Sequence, residues 1–136
     1  MTLTELWRQL RALLLAAPAP HTSARGAGAE RAAARYLQRH GYRVLERNLR
    51  VAGGEIDLLA AHGDWLVIVE VRSYKAPDGR RPRETLSPDK QRRLRRMADE
   101  LHKRPLYRDR PVRIDLIEVQ TDPRDRAVGF EIIKGI

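Results

Sequence analysis

Gly53-Gly54-Glu55-Ile56-Asp57-Leu58-Leu59 and Leu66-Val67-Ile68-Val69-Glu70-Val71-Arg72 decide how this chain folds. The second run is almost continuously apolar and rich in Val and Ile, the composition of a strand covered on both faces. Glu70 is therefore predicted to be buried, and an unpaired buried carboxylate is costly. With His62-Gly63 as a two-residue turn, Ala61 faces Asp64, Glu55 faces Glu70, and Asp57 faces Ile68, one diagonal step from Glu70. Alternation along the strands puts Glu55, Asp57, Glu70 and Arg72 on one face. Ile56, Leu58, Val67, Val69 and Val71 then form an apolar layer on the other. Diagonal partners lie about 7–8 Å apart, within reach of one shared divalent cation. The alternative is a structural ion-pair network with Arg72 or other arginines. Several acids converging on one face of a basic chain favour a functional site.

Outward from this hairpin, the pattern predicts strands at 42–51, 55–61 and 65–73, joined by Gly53-Gly54 and His62-Gly63 as antiparallel hairpins. Upstream, Leu3, Leu6, Trp7, Leu10, Leu13 and Leu14 mark an amphipathic helix over 3–16. Pro18 and Pro20 break it, and Ala17 to Ala24 reads as a linker. A second helix spans about 25–40, closed by His40-Gly41. Downstream, a polar Arg- and Pro-rich loop covers 75–86. Ser87-Pro88 caps a helix over 88–104 with a stripe of Leu94, Met97, Ala98 and Leu101. Strands at 112–119 and 128–133 follow. The expected fold is mixed α/β in the order α-α-β-β-β-α-β-β, with residues 1–20 as helix and linker and 21–136 as one domain.

The 136 residues suit one modest core. There is no cysteine, which excludes disulfides and thiolate metal sites. The run Ala12 to Ala17 is too short for a membrane span or a signal-peptide core, so a cytoplasmic protein without membrane contact is expected. Net charge is +9, and only Lys75, Lys90, Lys103 and Lys134 among the 27 basic residues are lysines. Such a charge favours polyanions, nucleic acid first among them, and arginine forks suit phosphates. Lys90, Arg92, Arg93, Arg95 and Arg96 on the 88–104 helix are one candidate phosphate face, and Arg80, Arg81 and Arg83 lie in a loop able to close over a strand. The four histidines lack zinc spacing. Gly26-Ala27-Gly28 follows no strand and is no dinucleotide fingerprint. Trp65, Tyr36 and Tyr42 read as core, and Asp115 as either a contributor to the acid site or a partner of Arg113.

An acid on one strand followed by Glu-x-Lys on the next resembles the PD-(D/E)xK core of restriction-endonuclease-like nucleases. The closer resemblance is to the YraN-like family of uncharacterised bacterial proteins, itself similar to Holliday-junction resolvases. It is carried by Gly26 to Gly28, Glu30, Ala33, Tyr36-Leu37, Gly41-Tyr42, Asn48, Gly53 to Leu58, Val69 to Arg72, Lys90-Gln91, Leu94, Ala98 and Arg113 to Asp115. The resemblance implies a restriction-endonuclease-like mixed sheet flanked by helices. It implies Asp57, Glu70 and the Val71 carbonyl as ligands of Mg²⁺ or Mn²⁺, with Glu30 completing the site from the second helix. Arg72 takes the motif's lysine position. Arginine does not give up its proton, so Lys75 and Lys90 are the alternative amines, and Tyr74 stands where relatives often carry a basic residue. The expected function is metal-dependent cleavage of DNA, branched or otherwise unusual. The alternatives are a nuclease-fold DNA- or RNA-binding module that does not cut, and an adaptor or homodimer docking through the N-terminal helix.

Overall fold

Strands joined by tight turns pair antiparallel, whereas a strand reached through a helix can pair parallel. The computed structural model, which describes residues 2–6, 24–52, 54–75 and 87–136, follows that rule. Helix α1 (Ala24–Arg39) leads into β1 (Arg43–Val51), β2 (Gly54–His62) and β3 (Trp65–Lys75). Helix α2 (Pro88–His102) then crosses to β4 (Val112–Thr121), and β5 (Ala127–Lys134) closes the order. The strands form one five-stranded sheet, β1-β2-β3-β4-β5, in which the β3–β4 pair is parallel and the others antiparallel. This is the mixed, helix-flanked sheet of the restriction-endonuclease-like class. The predicted 3–16 helix and 75–86 loop fall mostly outside the described residues. Within them, residues 3–6 form a helical turn whose start is closed reciprocally by Thr2 and Glu5.

Among the described residues, each side of the sheet carries one long helix. Ala33, Ala34 and Leu37 of α1 pack on Leu58, Ala60, Val67, Val69, Ile117 and Val119. Leu94, Met97 and Leu101 of α2 pack on Leu45, Val51, Ile56, Leu59, Leu66 and Ile68. Leu66 to Val69 are wholly buried because β3 has helices on both faces and strands on both edges. Among the described residues no helix is long and apolar enough to cross a membrane.

Two features of the predicted hairpin are corrected. The β2–β3 turn is Gly63-Asp64, with His62 opposite Trp65, so the register is displaced by two residues. Gly63 sits at φ +59°, the first central position, where a II′-type turn calls for glycine. An even displacement keeps each side chain on its face but changes its partner. The second correction concerns alternation. Leu58 belongs to the core under α1, whereas Ile56, two residues away, belongs to the core under α2. Opposite it, Leu49 also joins the α2 side, although Arg47 pairs with Leu58. The break falls at Asn48, held at φ +51°, and Asp57 across from it. Asparagine is one of the few residues that tolerates this conformation. Ile56 thus leaves the predicted apolar layer, and Glu55 no longer shares a face with Glu70.

At the hairpin-turn end, Asp115 is 0% exposed and takes two 2.8 Å bonds from Arg113, with further donors in Tyr42 Oη (2.9 Å) and Gly135 N (3.1 Å). Arg113 also donates to His62 Nδ1 at 2.9 Å, and burial, then the Arg113 charge, lower the His62 pKa. Of its two readings, Asp115 therefore takes the Arg113 pairing. Trp65, expected in the core, is 41% exposed, because it opens β3 beside the turn, where the Arg113 guanidinium lies 5.7 Å from its ring centroid. Removing Arg113 leaves Asp115 buried without its counter-charge. Arg113→Met is expected to cost about 3 kcal/mol in urea denaturation, and Arg113→Met/Asp115→Leu to recover much of that loss.

Candidate metal-type carboxylate site

The β2–β3 ladder stops at Leu58↔Val69, while β3 continues alongside β4 to Lys75. Past that point the edge of β3 that faced β2 has no strand partner among the described residues. The Asp57 carboxylate fills the first vacancy, accepting from Val71 N at 2.9 Å. Asp57 is thereby fixed in the fork between β2 and β3 by a backbone bond.

Glu70 lies on the α2 side of β3, by alternation with Leu66 and Ile68, and is 4% exposed. Its Oε1 stands 3.3 Å from Lys90 Nζ and 3.4 Å from Arg72 Nε. Its Oε2 is buried and has no hydrogen-bond partner among the described residues. Lys90 reaches this position because α2 starts at a fixed point: Ser87 is the N-cap, its Oγ accepting from Lys90 N at 3.1 Å, and Pro88 follows. A lysine in the first turn sits at the wrong end of the helix dipole, an arrangement that Glu70 offsets.

From the opposite side, Glu30 of α1 is hydrogen-bonded to the Asn48 side chain. Its pKa is raised, chiefly by burial and also by the charges of Glu55 and Glu70. Asp57 is pushed up to about 7 by burial first, then by the Glu70 charge, against the opposing Val71 N–H. The structure therefore brings Asp57, Glu70, Arg72, Lys90 and Glu30 into one electrostatically coupled group. Asp57 and Glu70 come together as anticipated, by a closer register than the diagonal one.

The other predicted residues are placed elsewhere. Arg92, Arg93 and Arg96 are exposed on α2, with Arg92 paired to Asp89. Arg80 and Arg81 lie outside the described residues. Lys75 faces Asp125 at 3.5 Å rather than Glu70. Glu118 escaped the sequence reading. It is 1% exposed, on the same side of the sheet as Ile114, and in register with Arg72. Its signal was the one that singled out Glu70, an acid inside an apolar strand (Ile117-Glu118-Val119). Asn48 was noticed only as part of a motif, although its left-handed backbone marks the level of the site.

Among the described residues no three His, Asp or Glu side chains form a ready-made metal cage. The donors available to a divalent cation are Asp57, the unpartnered Glu70 Oε2 and the backbone beside them. Mg²⁺ keeps several waters and commonly takes one or two protein carboxylates, so this set suits it better than it suits calcium.

A family model described as "Uncharacterised protein family UPF0102" matches residues 29–119. The chain belongs to the UPF0102 family. A UPF0102 protein of Moorella thermoacetica is 40% identical over 111 residues, covering 82% of this chain and 92% of the relative. One from Symbiobacterium thermophilum is 41% identical over 101 residues (74% and 86%), and one from Dictyoglomus turgidum 34% over 98 (72% and 83%). The YraN-like resemblance drawn from the motifs is thus family membership, and the matched span holds Glu30, Asp57, Glu70, Arg72, Lys90 and Glu118.

Burial of Asp57 has a measurable consequence. Below about pH 4 the carboxyl is protonated in folded and unfolded chains alike. Between there and about pH 7 the folded chain keeps its proton and the unfolded chain loses it. In chelator-treated protein, this group's contribution is fully present at the acid end and is lost as pH rises to about 7. Asp57→Asn is expected to flatten that slope by about 2 kcal/mol, read as urea-unfolding free energy against pH.

Proposed function

We propose that this UPF0102 member is a nucleic-acid-binding phosphodiesterase whose reaction centre is the β2–β3 fork, with Mg²⁺ or Mn²⁺ as cofactor and DNA as its first substrate. The observation that carries the reading is the pairing of Asp57 with a buried Glu70 whose Oε2 has no hydrogen-bond partner among the described residues. An orphaned buried carboxylate oxygen is expensive to retain, and a cation relieves it. The chain's net charge of +9 and the exposed Arg92, Arg93 and Arg96 supply attraction to phosphates.

Asp57 and Glu70 would hold the ion, which when bound activates water and screens charge on the phosphate. Val71 N–H holds the Asp57 carboxylate in one orientation. Lys90 Nζ, already beside Glu70, neutralises excess negative charge and can donate to a phosphate oxygen. Arg72 contributes a fixed positive charge and no proton transfer. Glu30, with its raised pKa and its link to Asn48, is the carboxyl assigned to take the proton of the attacking water. Lys90 thus takes the part that the sequence motif gives to the position of Arg72.

Purified protein incubated with branched, single-stranded and duplex DNA and Mg²⁺ or Mn²⁺ is expected to cut at least one substrate. Asp57→Ala and Glu70→Gln should reduce cleavage to background, and Lys90→Met should lower it about 100-fold while sparing the fold. Because a cation competes with the Asp57 proton, the rise in Tm caused by Mn²⁺ should grow from pH 5.5 to 7.5, and Asp57→Asn should abolish it. Salt-sensitive binding of every substrate with no cleavage and no Mn²⁺-dependent Tm shift would overturn the enzymatic reading in favour of a binding module.

A further inference from the structure

The arginines of α2 face one side of the sheet, and α1 carries a second cationic line on the other. Arg31, Arg35 and Arg39 follow one another at four-residue spacing and all are exposed, so they form one row. Like charges at this spacing oppose the helix slightly, and no ion pair among the described residues involves Arg35 or Arg39.

The row borders a groove of about 390 Å³ between α1 and the start of β5, where Arg35, Tyr36 and Arg39 face Asp125, Arg126 and Phe130. The acid in this lining is accounted for, since Asp125 stands 3.5 Å from Lys75. Arg126 is bonded to Asp122 at 2.9 Å, which leaves Arg35 and Arg39 as the groove's uncommitted charges. Three rings form a column beside them. Phe130 and Tyr36 lie 4.5 Å apart at 15°, and Tyr36 and His40 4.0 Å apart at 25°. His40 ends the column on the exposed surface, its ring oriented by the bond from Nδ1–H to the Tyr36 carbonyl at 2.7 Å.

The exposed His40 ring at the end of this column, next to arginines with no ion pair among the described residues, meets the two demands of a single nucleic-acid strand, a face for a base and charges for its phosphates. A duplex keeps its base faces inside its own stack, so it gains nothing from the rings and is expected to seat on the exposed arginines of α2 instead. Glu30 of the carboxylate site and Arg39 lie on one helix, about 13 Å apart along its axis and half a turn apart around it, so a path from the fork to the groove crosses the outer face of α1 that carries the arginine row. We propose that the α1–β5 groove binds the unpaired strand that flanks the phosphate held at the β2–β3 fork. The location rests on the phosphodiesterase reading above; the strand-binding activity does not depend on cleavage.

The test measures affinity of the full-length chain for a fluorescein-labelled 15-residue oligo-dT and for a blunt hairpin duplex, each across a salt series. Arg35→Glu/Arg39→Glu replaces exposed residues and should leave the melting temperature intact. Its oligo-dT affinity is expected to fall at least tenfold, with the salt slope shallower by about 1.4 for two lost phosphate contacts, and its duplex affinity to stay within about threefold. His40→Ala keeps the arginines and removes the exposed ring, with an expected loss of about fivefold on oligo-dT alone. Equal losses on both probes, or unchanged oligo-dT binding by the arginine variant, would overturn the groove while leaving the phosphodiesterase reading in place. Wild-type protein that binds neither probe at low salt would overturn both.

Discussion

The arrangement depends on one backbone hydrogen bond that is made by a side chain. Where β2 parts from β3, Val71 N–H loses its ladder partner and the Asp57 carboxylate accepts from it instead. A buried amide must find an acceptor, and this acceptor carries a charge in a place where charge is costly. The bond therefore does two things. It completes the local backbone pairing, and it commits a carboxylate to a cleft already occupied by Glu70. Burial first, and then the charge of Glu70, raise the Asp57 pKa there.

The site is assembled from both sides of the sheet. α1 brings Glu30 and α2 brings Lys90, while Asp57, Glu70 and Arg72 come from the strands between them. Each contribution is set by an ordinary local device. Ser87 fixes where α2 begins, and hence where Lys90 points. Asn48 permits the break in alternation across from Asp57 and ties down Glu30 through its amide. Small rearrangements at these supports would move the charged groups without touching the carboxylates themselves.

The element order and the gathering of Asp57 with Glu70 were legible in the sequence, because hydrophobic periodicity and turn residues carry that information directly. The hairpin partner was not. His62-Gly63 and Gly63-Asp64 are both plausible two-residue turns and differ by an even register step, so the face of Glu70 could be read but its opposite residue could not. Nor could alternation show that Ile56 and Leu58 serve different cores, since it assumes a regular strand. Asn48 was the available cue, being among the residues that adopt a positive φ. Lys90 and Glu70 are twenty residues apart, and only the packing of α2 on the sheet shows that they meet. Glu118, an acid within an apolar strand, carries the same signal as Glu70 and is legible on the same grounds.

The dispersal of the site along the chain has a consequence for synthesis. Glu30, Asp57 and Glu70 emerge from the ribosome before Lys90, and β3 stays an unpaired edge until β4 has followed α2. During that interval the acids stand without the lysine that balances them, and the cleft has only one of its two flanking helices. A nascent chain thus exposes neither the completed charged cluster nor a closed sheet. The charged cluster is complete only in the finished fold, because the topology that shapes the cleft draws its members from both sides of α2 in sequence.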